Sequence, residues 1–113
     1  MPWARPCAPA CSSPSWTDFH VAYRSGARHR LDQGAAGRAI LAGRAGEAGL
    51  VASDGELQAG AHGLAVPLAV AVHGAAPASF EASVGVVSLA PLDAGAVGPR
   101  LQHAAKALRA ALR

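Results

Sequence analysis

Few side chains in this 113-residue chain combine the type and the spacing that chemistry needs. Cys7 and Cys11, with His20 downstream, offer ligands for zinc, but one C-x-x-x-C in a proline-rich stretch lacks the second pair that a structural site requires. His29, His62, His73 and His103 have no ligand-like spacing, so no metal and no cofactor is expected. Glu56 follows a turn and has no placed acid or base beside it. That suits a carboxylate that anchors a loop by accepting hydrogen bonds better than one that moves protons. The glycine-rich segments lack the lysine of a phosphate loop and the serine of a nucleophile elbow, so catalysis is not expected. Gly34 and Gly37 remain. Each glycine inside a helix costs about 1 kcal/mol against alanine, and such glycines are expected where another backbone, or a ligand, comes close.

The elements that would position these residues can be read along the chain. Residues 1 to 16 carry Pro2, Pro6, Pro9 and Pro14, which forbid a regular helix, and the stretch is expected to be a disordered tail. Residues 17 to 113 are expected to form one domain. Asp18 to Arg24 alternates Phe19, Val21 and Tyr23 with His20, Ala22 and Arg24, as a half-buried strand does, and Ser25-Gly26 ends it. Leu31 to Ala42 reads as a helix with Asp32 as N-cap, Gly43 just past its end, and Ala36, Ala39 and Ile40 on one face. After a flexible GRAGEAG connector, Leu50 to Ala52 is long enough for a brief strand, closed by Ser53-Asp54-Gly55.

His62 to Val72 and Ala82 to Leu89 are better strands, and the short link between them predicts an antiparallel pair. Pro67 interrupts the first. A residue with no N–H belongs at an edge, a strand start or a bulge. The expectation is a bend there, with the part after Pro67 pairing with Ala82 to Leu89 and the part before it lining a pocket. Asp93 can cap a helix from Ala94 to Leu112, whose Val97, Leu101, Ala104, Ala105, Leu108, Ala111 and Leu112 recur at three- and four-residue intervals. Pro99 is expected in its first turn.

Composition sets further bounds. The chain is 51% apolar, but alanine and valine dominate, with two Trp, one Tyr and two Phe, so the core has few large anchors. Such a core predicts modest stability, or stability gained from a partner subunit. The net charge of +3 comes almost wholly from arginine. With no aromatic residues interleaved for base stacking, those arginines read as a solvated surface and no direct nucleic-acid contact is expected. No apolar run reaches the roughly 18 residues of a membrane span, and the N-terminus has no secretory h-region. A cytoplasmic location and no membrane partner are expected.

Three segments together resemble one family. GAAGRAILAG (Gly34 to Gly43) is similar to the A-x-G-K-A-L-L-A helix of IclR-type transcriptional regulators. GELQAGAHGLAVPL (Gly55 to Leu68) resembles their E-x-x-x-G-x-x-x-[IV]-A-x-P-[VI] segment, and EASVGVVSLAPL (Glu81 to Leu92) their A-A-I-S-V-S-G-P strand. The resemblance spans residues 20 to 112. It implies an α/β (α+β) fold: an incomplete GAF-like antiparallel sheet flanked by helices, corresponding to a truncated C-terminal effector-binding domain without a DNA-reading helix. It also implies a homo-oligomer. Two departures stand out: the spacing between the first two segments is much shorter than in the family, and the strands before the helix are reduced to one.

The resemblance further implies a site. Small effectors of the family, often carboxylates, lie over one sheet face at the start of the glycine-rich helix, where unpaired N–H groups and partial positive charge favour an anion. Gly34, Ala35, Ala36 and Gly37 correspond to that helix start. By motif position Ser53, Gly63, Gly85 and Val87 fall where the family places ligand contacts, and only Ser53 among them is polar. The implied partner is a small-molecule effector, a carboxylate or an aromatic acid. The competing readings are a degenerate GAF-like interaction or oligomerisation module, and a gene remnant that binds nothing. On either, Gly34 and Gly37 simply allow tight helix-to-sheet packing.

Overall fold

The computed structural model describes residues 3–4, 28–76 and 80–112. Its elements are β1 (Trp3–Ala4), β2 (His29–Arg30), α1 (Ala35–Arg44), β3 (Val51–Asp54), β4 (His62–Pro67), β5 (Ser83–Ser88) and α2 (Ala94–Ala111). The architecture is α+β: one antiparallel sheet in the order β3-β4-β5, with two helices against it. Trp3 and Ala4, inside the stretch read as a tail, pair antiparallel with Arg30 and His29. The strand expected over Asp18 to Arg24 lies outside the described residues. No helix among them is long and apolar enough to cross a membrane.

Strand β4 is central, and both of its faces are covered. Successive side chains of a strand point to opposite sides, so Leu64, Val66 and Leu68 meet Leu101 and Ala105 of α2. Ala65, on the other face, meets Ala35 and Ala39 of α1. This double burial explains the near-continuous apolar run of β4, which an alternating half-exposed strand would not need. Leu50, Phe80, Ala82, Val84, Leu92 and Val97 are partly buried around the α2-side cluster. No polar or charged residue among those described is buried.

Helix α1 starts and ends later than its sequence suggests. Asp32 does not cap it; both carboxylate oxygens instead accept from Arg30 at 2.9 Å. The N-cap is Gly34 at φ 86° and ψ 157°, a conformation that costs a side-chain-bearing residue dearly. Gly43 lies inside the helix. The left-handed position past the end is Gly46 (φ 86°), and Gly46 N and Glu47 N donate to Gly43 O and Ala42 O, the paired bonds of a Schellman ending.

The buried stripe of α1 is Ala35, Ala39 and Gly43 rather than Ala36, Ala39 and Ile40; Ala36 and Ile40 are half-buried. Residues four apart on a helix are about 6 Å apart along its axis, and residues two apart on a strand about 6.7 Å. The stripe therefore keeps step with Gly63, Ala65 and Pro67 on β4. A Cβ on Gly63 would come within 3.4 Å of Ala35 Cβ, and one on Gly43 within 2.8 Å of Pro67 Cβ. At the end of α1, Arg44 pairs with Glu81 through two 2.8 Å bonds, and this guanidinium holds the Glu81 carboxyl below its ordinary range. The pair is exposed and adds little stability.

Pro67 ends β4, and the residues up to it pair with β5, His62 to Pro67 facing Ser88 to Ser83, with the Leu68–Ala82 bond the one continuation past the proline among the described residues. Leu68 N donates to Ala82 O, so by strand alternation the Pro67 nitrogen points the other way, toward β3. There β3 has already ended, since its first pair is Val51 with Ala65. No donor is needed at that position, and the Pro67 carbonyl accepts from Arg109 Nη1 at 3.0 Å instead. The proline is thus at home in a central strand, just past the reach of its neighbour.

Helix α2 follows expectation at its start: Asp93 accepts from Gly95 N at 2.9 Å and Ala96 N at 3.3 Å. Pro99 sits in the second turn rather than the first, where its missing N–H leaves the Gly95 carbonyl to solvent on the exposed side. Only the first half of the apolar stripe is covered. Leu101 and Ala105 are buried, whereas Leu108 and Leu112 are 39% and 53% exposed.

Candidate ligand cleft

The residues that the resemblance assigns to an effector do come together, around the start of α1. Ser53 pairs with Gly63, and Gly63 with Val87, in one row across the sheet. Paired residues share a face, and that face is the one α1 covers, with Ala35 over Gly63. Gly85 lies one step further along, opposite Ala65, where a Cβ would sit 2.5 Å from Leu64 O and 2.9 Å from Ala65 Cβ.

Protein atoms occupy the space that a guest would need there. Glu56 reaches back to α1: its Oε1 accepts from Gly34 N at 3.0 Å, and its Oε2 lies 2.6 Å from Arg38 Nη2. The same Arg38 Nη2 donates to Ala52 O. The Leu57 side chain lies over Gly34, where a Cβ would meet Leu57 Cδ1 at 2.7 Å. Gly37 packs on the Leu31 backbone, its virtual Cβ 2.5 Å from Leu31 O. Glu56 therefore does the work of an anion at the helix start, meeting an orphan N–H and the positive end of the dipole.

This clamp predicts a measurable loss. Glu56→Ala leaves Gly34 N and Arg38 without their shared acceptor and should cost about 1–2 kcal/mol, since two charge-assisted bonds go but both groups are partly solvated. Urea denaturation would show it as a lower midpoint at unchanged slope. A midpoint equal to the parent's would mean that the clamp contributes nothing.

An open cleft lies on the opposite face. Helix α2 covers β4 and β5 but leaves the α2-side surface of β3 open. The result is a cleft of about 450 Å³ lined by Ala52, Ser53, Asp54, Glu56, His62, Gly63, Leu64, Pro91 and Leu92. Ala52 pairs with Leu64 and Asp54 with His62, so these four side chains share the cleft's face. His62 Nδ1 lies 3.4 Å from Asp54 Oδ1. Pro91 and Leu92, in the turn before α2, form the wall opposite β3. Ser53 and Gly63 are the two expected site residues that border it; Gly34, Ala35, Ala36, Gly37, Gly85 and Val87 are not in its lining. Among the described residues no group of three or more His, Cys, Asp and Glu is placed to hold a metal ion.

His62, Asp54 and Leu92 were not singled out for a site by sequence. The signal for the first two was present: His62 and Leu64 are two apart in one strand, so once Leu64 faces the core, His62 must border the same side. Leu92 reads only as part of a stop before a helix. Comparison with protein-family models, with curated proteins and with solved structures finds no match to this chain in any of the three.

Proposed function

We propose that this chain is a small-molecule-binding sensor domain, of the effector-binding kind that its IclR-like segments imply, with its ligand in the α2-side cleft. The observation that carries this reading is the cleft itself. Its volume falls within the roughly 300–1,000 Å³ usual for ligand sites, and it combines an apolar floor with a few convergent polar groups. It also borders the β3–β4 turn and the turn before α2. Binding rather than catalysis suits it, since Asp54 and His62 face each other at an open rim with no nucleophile between them.

The lining also narrows the ligand. Asp54 is on it and no lysine or arginine is, while the Glu56 carboxylate is already taken by Gly34 N and Arg38, so a neutral or amine-bearing molecule suits the cleft better than the carboxylate implied by resemblance. The second reading, an interaction module, draws on the uncovered apolar residues of β5 and α2.

The test is a thermal-shift and calorimetric screen of neutral, amine-bearing and carboxylate metabolites. A binder from the first two classes should raise the midpoint of the parent protein and lose its effect in Ala52→Trp, which fills the cleft from an exposed strand position. If no compound shifts the midpoint at millimolar concentration, or if Ala52→Trp binds as the parent does, the cleft is not the site.

A further inference from the structure

The two edges of the sheet differ. On β3, residues 51 and 53 face β4, so Ala52 and Asp54 carry the outward backbone groups. Ala52 O is taken by the Arg38 guanidinium, and Asp54 puts a charge on the rim. Edges are protected against pairing in this way. On β5, Val84, Val86 and Ser88 bond to β4, leaving the N–H and C=O groups of Ser83, Gly85 and Val87 directed outward. No hydrogen bond to these six groups is present among the described residues. Ser83–Ser88 has no charge, no proline and no bulge, and Val86 and the following Leu89 are 38% and 47% exposed.

We propose that β5 is a dimerisation edge, pairing antiparallel with β5 of a second copy of this chain to join two three-stranded sheets into one of six. An uncharged strand suits an identical uncharged strand, and the flanking charges select the direction. Parallel pairing would set the two Glu81–Arg44 pairs side by side. Antiparallel pairing about Gly85 separates the Glu81 residues by eight strand positions, about 27 Å. In that register Val84 of one copy stands opposite Val86 of the other on the α2-side face, extending the apolar strip that Val66 and Leu64 begin. Ser83, Gly85 and Val87 of each copy then supply the ladder bonds. The cleft, at the β3 side of the sheet, stays open, so the dimer stands or falls independently of ligand binding.

Analytical ultracentrifugation and amide hydrogen exchange of the full chain, each across a range of concentrations, test this. The expected result is a dimer at high concentration, with exchange at Ser83, Gly85 and Val87 slowing about tenfold or more as dimer forms. Val86→Lys should be monomeric at the same concentration, whereas Val72→Lys, at a residue 67% exposed and outside the strand, should stay dimeric. A parent that is monomeric throughout overturns the proposal. So does a dimer in which these three amides exchange alike at all concentrations, because the contact then lies elsewhere or another part of the chain closes the edge. Should Val86→Lys fail to fold, the exchange result on the parent decides alone.

Discussion

Gly43→Val should abolish the cooperative thermal transition. Gly43 is where α1 and β4 come closest: a Cβ there would overlap the Ala69 carbonyl oxygen and lie 2.8 Å from Pro67 Cβ. Neither neighbour can yield cheaply. Pro67 is fully buried in the central strand, and Gly43 O itself accepts from Ala71 N at 2.7 Å, which ties the two backbones together. Overpacking at a flexible contact costs about 1–3 kcal/mol; against fixed backbone the cost is higher, and valine adds the helix penalty of a branched side chain. A domain of this size has only about 5–15 kcal/mol in total. Circular dichroism during a thermal ramp provides the readout. A sigmoidal transition near the parent midpoint would mean that α1 does not sit on β4 as described.

Leu101→Ala should lower stability by about 3 kcal/mol, within the 2–5 kcal/mol typical of buried leucine truncations. Leu101 is the one leucine of α2 that is buried, at 5% exposure, and it meets Leu64, Val66 and Leu68 together. Leu64, Val66 and Leu68 project from the central strand, whose backbone is paired to its neighbours, so they relax only partly into the void and the loss stays near the middle of the range. Leu108→Ala, at a residue 39% exposed, should cost under 1 kcal/mol and serves as the internal comparison. Equal losses at the two positions would contradict the half-covered stripe.

These residues also show what could be read before the fold was known. The period of α2, its Asp93 cap and the antiparallel sense of the β4–β5 pair were legible, because each depends on local spacing or on two neighbouring strands; which part of the first strand pairs was not. The start of α1 was not. Asp32 is a good cap by type, but Arg30 two positions away competes for its carboxylate, while Gly34 and Glu56 settle the helix start through a contact 22 positions apart. The location of Pro67 needed the length of β3, a property of a different strand. The cleft depends on how far α2 reaches across the sheet. No residue in α2 encodes that reach by its own type, so sequence pointed to the α1 side, where small side chains cluster, and the open space lies on the other.

Pro67 also has a bearing on the pairing of β3. If β3 slid two positions along β4, Val51 would face Pro67, and the carbonyl across from the ring would find no proton to accept. Each such mispairing forfeits about 1 kcal/mol and displaces Arg109 as well. A missing hydrogen atom thus helps the chain count: the ring marks the point beyond which its neighbour gains nothing by advancing, and the alignment of the whole sheet is held from a position that β3 never touches.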